Sequence, residues 1–195
     1  EIRLSLVGSE MCIRDRLVPY LYDLGVSHLY LSPIFASAPE SNHNYDVIDP
    51  TVVNPELGGI DGLRLLARVA HDAGLGLVVD LVPNHLGVEV PRRNRWWWDV
   101  LKHGKGSDYA HFFDIDWAED NGAGGKVALP ALGAPGDTDA LKLEHLDGED
   151  VLTYYDHVFP LAPGSYAGLN DDPAAVHERQ HYQLCLLYTS PSPRD

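Results

Sequence analysis

VVDLVPNH, residues Val78 to His85, is the stretch from which this chain is best read. It opens on apolar, β-branched residues suited to a buried strand. It then sets an acid, Asp80, an amide, Asn84, and an imidazole, His85, around Pro83. Polar side chains at the end of an apolar strand mark the place where a parallel strand opens onto solvent. In β/α folds the loops that carry function converge at that end. The upstream flank agrees. GIDGLRLLARVAHDAGLG (59–76) spaces Leu63, Leu66, Ala67, Ala70 and Ala73 along one helical face and stops at Gly74. Before it, SHLYLSP (Ser27–Pro33) reads as a short buried strand. LVPYLYDLGV (Leu17–Val26) puts Leu17, Tyr20, Leu21 and Leu24 at helical spacing ahead of Gly25. The stretch 34–59, rich in Pro, Asn, Ser and Gly, reads as loop. Helix, strand, long loop, helix, strand is the rhythm of a β/α protein with parallel strands.

Beyond His85 the rhythm breaks. Trp96-Trp97-Trp98 is expected to open a short helix running to Leu101. Three adjacent helical residues cannot face one way, so core packing accounts for at least one of these rings. AHFFDIDW (110–117) is aromatic and acidic, 122–136 is Gly- and Ala-rich loop, and VLTYYDHVFPL (151–161) holds one or two strands. Residues 88–184 are therefore expected to form an insertion after a barrel strand, since the βα units alone would not need a stretch of roughly 100 residues.

Charge narrows the partners. The formal net charge is -15 over 195 residues, and a surface this acidic repels phosphate backbones, so no nucleic-acid partner is expected. Apolar residues make up 45%, ordinary for a globular protein, and no apolar run approaches a membrane span. No internal repeat is present.

The two ends stand apart from this pattern. Back-translated with suitable codons, the tail CLLYTSPSPRD (Cys185–Asp195) gives DNA whose opposite strand, shifted by one base, encodes Leu6 to Asp15 of the head. The head, 1–16, and the tail, 185–195, are therefore expected to be translated sequencing-adaptor DNA and are set aside from the fold. Both cysteines, Cys12 and Cys185, lie there, so no disulfide argument applies. The rest, Leu17–Leu184, is expected to be a piece of a larger protein, and its ends say nothing about secretion.

VVDLVPNH resembles the first signature region of the α-amylase superfamily of glycoside hydrolases, an Asp-x-x-x-Asn-His at the end of the third barrel strand. HLYLSPIF, HNYDVIDP and NPELGG resemble that superfamily's second strand and the loop after it. LVPYLYDLGVSHLYLSPIF, WWWDVLKHG, YAHFFDIDW, FPLAPG and VHERQHY together resemble the maltooligosyl trehalose synthase branch, across nearly all of Leu17–Leu184. The resemblance implies the N-terminal part of a (β/α)8 TIM barrel: its second and third strands with their helices within residues 17–87, followed by an insertion or lid, 88–184. It implies conversion of the reducing-end α-1,4 link of a maltooligosaccharide into an α,α-1,1 link, in a cytoplasmic enzyme of trehalose biosynthesis. It places His85 against the sugar under attack, Asp80 beside an arginine, and Tyr45 beneath the same sugar, with His43 and Asn84 also among the substrate-binding residues. Asn84 completes the motif. Asn44 stands where the family has glycine between His43 and Tyr45, and Asn tolerates the left-handed backbone that such a turn needs. The family's nucleophile and acid/base lie on later strands, so no carboxylate of this chain is assigned to catalysis. Asp46 and Asp49 are expected to fix loops. No cofactor is implied. Some relatives hold calcium near the Asn84 position, but no acidic cage supports it here.

Rival readings remain. A glucan hydrolase of the same superfamily would share the first signature region. His177-Glu178-x-x-His181 matches the zinc-protease pattern, in which two imidazoles on one helical face hold metal beside a glutamate base. Its flanks lack the apolar stripe of a buried metal helix. A non-catalytic glucan-binding module is the third.

Overall fold

The first described element is a helix, α1 (Glu10–Asp23), in a computed structural model that describes residues 10–39, 41–168 and 172–186. Gly25, at φ 82, ends the helical run, and Val26 N–H donates to Leu21 O at 3.1 Å. The buried stripe of α1 differs from the one expected. Val18 and Leu21 are buried, whereas Tyr20 and Leu24 are each 56% exposed. β1 (His28–Leu31) alternates strictly, with Leu29 and Leu31 buried and His28 and Tyr30 on the other face. The expected loop 34–59 contains a hairpin instead: β2 (Phe35–Ser37) and β3 (Val47–Val53) pair antiparallel with register shifts. These strands lack a clean alternation of apolar residues, which is why the spacing did not reveal them.

The Asn54 side chain then caps a short turn at Pro55–Leu57, and α2 (Gly59–Asp72) follows, burying Leu66 and Ala70. β4 (Gly76–Val79) returns parallel to β1, with His28 opposite Gly76 and Leu31 opposite Val79. The His28 ring lies over Gly76 in that pairing, where a Cβ would stand 2.3 Å from it. Val18, Leu21, Leu29, Leu31, Ile34, Leu66, Ala70 and Leu75 close one core beneath this β-α-β unit. The expected full burial of the strand is corrected, since Val78 is 46% and Leu81 59% exposed. Among the described residues β1 and β4 pair only with each other, and Tyr30 and Val78, opposite each other on the outward face, are 37% and 46% exposed.

Residues 89–195 form a second unit, the first being 1–88. Its α3 (Arg95–His103) begins at Asn94, which is fully buried and whose Oδ1 accepts from Trp96 N and Trp97 N at 3.2 and 3.1 Å. Trp96 and Trp97 are buried, and the Trp97 ring meets Phe113 at 4.9 Å. The expected Gly/Ala loop contains β5 (Val127–Leu132). A meander of β6 (Leu141–Leu146), β7 (Glu149–Tyr154) and β8 (His157–Pro160) comes next, and VLTYYDHVFPL thus holds parts of two strands. After α4 (Pro173–His177), β9 (Tyr182–Leu186) pairs parallel with β5. Val100, Leu101, Leu152, Tyr154, Phe159, Val176, Tyr182 and Leu184 form its core. β9 runs on through Cys185 and Leu186, opposite Pro130 and Leu132, so the strand crosses the boundary set at 184. Residues 1–9 and 187–195, most of the two segments set aside above, lie outside the described residues. No helix among the described residues is long and apolar enough to cross a membrane.

Because Asn94 is both buried and the partner of two helix-start N–H groups, Asn94→Ala should destabilise the chain by about 1–3 kcal/mol, a lost cap plus unsatisfied buried donors. Urea unfolding of the chain and the variant measures this, and an unchanged midpoint would contradict the capping role.

Candidate functional site

The hairpin loop between β2 and β3 is built from polar side chains that satisfy one another. Asn44 is buried and left-handed, at φ 59. Its Oδ1 accepts from Ser37 Oγ at 2.7 Å, and its N–H donates to Ser41 Oγ at 3.1 Å. Ser37 Oγ in turn accepts from Asn54 Nδ2 at 3.2 Å. Ser41 Oγ donates to Asp46 Oδ1 at 2.5 Å, and Asp49 Oδ1 accepts from Thr51 N and Oγ1 at 2.8 and 2.5 Å. Buried polar groups must be paired to avoid a desolvation cost, and this chain of bonds pairs them. Asp46 and Asp49 therefore act on the loop itself. Asn44 does what a glycine would do there, and its amide adds a bond glycine cannot make.

That loop presents Tyr45. Its hydroxyl donates to Asp80 Oδ2 at 2.6 Å, just past the end of β4. The Tyr30 hydroxyl, from β1, donates to the same oxygen at 2.7 Å. Asp80 is set in place by its own backbone, whose N–H donates to Leu31 O at 2.9 Å. His85 follows, with Nε2 3.0 Å from Tyr45 O and Nδ1 3.3 Å from Asn84 Oδ1. A carbonyl only accepts, so the contact with Tyr45 O needs the proton on Nε2, and Nδ1, then an acceptor, is matched only by the amide N–H of Asn84 turned toward it. Gly87 N–H then donates to Val47 O at 2.7 Å. Only glycine allows this approach, because a Cβ at residue 87 would lie 2.9 Å from Asp46 O.

Four of the residues singled out in the sequence, Tyr45, Asp80, Asn84 and His85, thus meet in one connected group. His43 joins through its neighbour: its Nδ1 accepts from Tyr45 N at 3.0 Å, and the two rings lie 6.0 Å apart. Tyr30, Ser37 and Gly87 were missed. For Tyr30 the signal was present in β1, where Leu29 and Leu31 define one face and a tyrosine points from the other. Nothing local marked Ser37 or Gly87, whose partners lie far along the chain. An aromatic face beside hydroxyl-bonding polar groups is the equipment for holding a pyranose, by stacking on its apolar side and bonding its rim.

The His-Glu-x-x-His segment does not form a metal site. α4 ends at His177, so His181 is not a turn below it on one helix. His177 is buried, and its Nε2 accepts from Leu184 N at 3.0 Å. His181 instead packs over Gly104, where a Cβ would lie 2.6 Å from its Nδ1. Between them, buried Gln180 accepts from Ala162 N at 2.7 Å and donates to Ser165 Oγ and Val176 O at 2.9 and 2.6 Å. The motif is a structural joint leading into β9. Among the described residues no group of His, Cys, Asp and Glu is placed to hold a metal ion.

Comparison with known proteins identifies the family. The family model "Alpha amylase, catalytic domain" matches residues 7–135. A Mycobacterium tuberculosis protein, provisionally named a maltooligosyl trehalose synthase, is 52% identical over 170 residues, 87% of this chain and 21% of its own length. The Bacillus subtilis intracellular maltogenic amylase is 43% identical over 108 residues, 55% of this chain and 17% of its own length. The solved maltooligosyltrehalose synthase of Arthrobacter ramosus superposes with a TM-score of 0.83 at 47% identity, covering 95% of this chain and 23% of that one. A Sulfolobus tokodaii structure carrying the same kind of name superposes at 0.81 and 36% identity, over 97% of this chain and 25% of its own. The chain thus spans about a quarter or less of the length of these relatives. Its β-α-β unit is part of a TIM barrel.

Burial is the main cause that holds the His177 imidazole below its ordinary pKa, with nearby Lys126 adding to it and Glu178 opposing. Burial likewise lowers His181, helped by His103 and Lys126. In the unfolded chain both rings titrate near the ordinary value of about 6.5, so the unfolded state takes up protons first as pH falls. The stability these neutral rings carry is complete above about pH 6.5 and is lost on the acid side, by at most about 1.4 kcal/mol per pH unit for His177. His177→Gln should flatten that decline when urea unfolding is compared at about pH 7.5 and about pH 5; equal slopes in both proteins would refute the assignment.

Proposed function

We propose a function from one premise: the chain belongs to the α-amylase family, whose catalytic-domain model matches residues 7–135. Within that family its reading is part of a maltooligosyl trehalose synthase, an intramolecular transglucosylase of trehalose biosynthesis acting in the cytoplasm. The observation that carries this is the likeness to such enzymes along nearly the whole chain, 47% identical at a TM-score of 0.83 over 95% of its residues. The maltogenic amylase is similar over only 55% of it, which leaves the hydrolase reading with less support.

In the proposed reaction a carboxylate outside this chain displaces glucose from the reducing end of a maltooligosaccharide and forms a glycosyl-enzyme. The glucose stays bound, turns, and attacks through its anomeric hydroxyl, giving the α,α-1,1 link with retention. Water must be excluded, or hydrolysis intervenes, and residues 88–184 are proposed to serve that exclusion. This chain contributes the sugar's seat. Tyr45 offers its ring face to the pyranose. Asp80 anchors that ring through the hydroxyl bond and is the acceptor proposed for an arginine of the complete barrel. His85 bonds the sugar by exchanging the Tyr45 carbonyl for a sugar hydroxyl, so its Nε2–H is already pointed and protonated for the task. His43 accepts from the Tyr45 backbone N–H and so helps to set that residue, and Asn84 lies beside the His85 ring.

The chain alone, incubated with maltopentaose, should yield neither trehalose-ended product nor free glucose above a blank, because the nucleophile and acid/base belong to other strands; measurable turnover would overturn that division. In the full-length enzyme, His85→Ala should lower kcat by about 10²–10³-fold while moving KM less, as for other lost transition-state donors. Tyr45→Ala should instead raise KM and the share of free glucose, since a loosely held glucose escapes before it turns. Wild-type rates and product ratios in both variants would show that the sugar sits elsewhere.

A further inference from the structure

We propose that Tyr30 is a positioning residue for the sugar platform, acting on Tyr45 through the carboxylate they share. This rests on the function proposed above and assigns a role to a residue outside the signature motif. Tyr30 and Tyr45 come from different elements, β1 and the β2–β3 loop, yet both hydroxyls end on Asp80 Oδ2, at 2.7 and 2.6 Å. One oxygen accepting two phenols has little freedom, because any rotation of the carboxylate that improves one bond stretches the other. Hydrogen bonds to an ionised acceptor are stronger than those between neutral groups, so the shared oxygen is a firm anchor.

Tyr30 is the better fixed of the two partners. Leu29 and Leu31 on either side of it are 3% and 1% exposed, and its backbone is held in register with Val78 by the parallel pairing. Tyr45 belongs to a loop with no such ladder. The geometry therefore runs one way: β1 fixes Tyr30, Tyr30 fixes Oδ2, and Oδ2 fixes where the Tyr45 ring lies. Tyr30 itself stands on the open face of β1, 37% exposed, and contributes little to the core beneath. A phenol placed there for packing alone would not need its hydroxyl.

The test is a double-mutant cycle in the full-length enzyme with maltopentaose, using Tyr30→Phe, Tyr45→Phe and both together. Each change removes one hydroxyl and keeps its ring. Tyr30→Phe is expected to raise KM about 3–10-fold, less than a whole charged-acceptor hydrogen bond because Tyr30 acts on the sugar only through Tyr45, with a smaller change in kcat and a larger share of free glucose. The double variant is expected to match Tyr45→Phe alone, because once Tyr45 has lost its link to Asp80 the Tyr30 bond has nothing left to position. Effects that multiply in full would overturn the proposal, as would a Tyr30→Phe enzyme with wild-type KM and product share, even if its melting temperature fell. Should the wild-type enzyme make no trehalose-ended product, the functional reading fails by itself. The same cycle, read as maltopentaose affinity by calorimetric titration, then still decides whether Tyr30 acts through Tyr45.

Discussion

The Asp80 carboxylate is the point on which the candidate site depends. It stands one residue past β4, with its N–H bonded to Leu31 O, so the parallel pairing of β1 with β4 extends just far enough to place it. Two tyrosine hydroxyls then converge on one of its oxygens. An acid at the end of an apolar strand is costly unless its charge is met by donors, and here the donors are groups from two other segments. The β-α-β core is thereby tied to the hairpin loop that carries the aromatic face. Without Asp80 the strand pair and the hairpin would each still form, but nothing in the site would hold the Tyr45 hydroxyl to the strand end.

Backbone approach supplies the second tie. The segment after β4 lies against the hairpin through His85 Nε2 to Tyr45 O and Gly87 N–H to Val47 O. Gly87 permits this by lacking a side chain, and Gly76 permits the His28 ring to cover β4 in the same way. Beneath the loop, Asn54, Ser37 and Asn44 pass hydrogen bonds from one to the next. The loop is thus a polar core in miniature. It holds Tyr45 in place by satisfied hydrogen bonds where apolar packing would leave the ring free to slide.

The second unit follows a different logic. Its meander and its β5–β9 pair close on an apolar cluster in which Tyr182, Val176 and Leu152 are wholly buried. The letters of a zinc motif fall at the entry to β9, where His177 Nε2 accepts from Leu184 N and the Gln180 side chain is bonded to Ala162, Ser165 and Val176, while the buried His177 Nδ1 has no hydrogen-bond partner. Helical spacing is what makes two imidazoles co-ligands, and α4 stops too early to supply it.

The local record in the sequence determined α2, the stops at Gly25 and Gly74 and the parallel strands β1 and β4, and it singled out Tyr45, Asp80, Asn84 and His85, which the structure brings into one connected group. Each of these is written within a few neighbouring residues, as apolar spacing, a helix stop or a short motif. Tertiary structure alone decided the rest. β2, β3 and β5 are strands because distant or irregular partners complete their hydrogen bonds, and their own letters read as loop. The buried stripe of α1 is Val18 and Leu21 because the facing core, which periodicity cannot see, selects it. Val78 is exposed because a parallel strand is covered on both faces only where further layers meet it. Tyr30 entered the site for the same kind of reason: its partner lies fifty positions along the chain, and only the register of β1 against β4 brings the phenol and the carboxylate within a hydrogen bond.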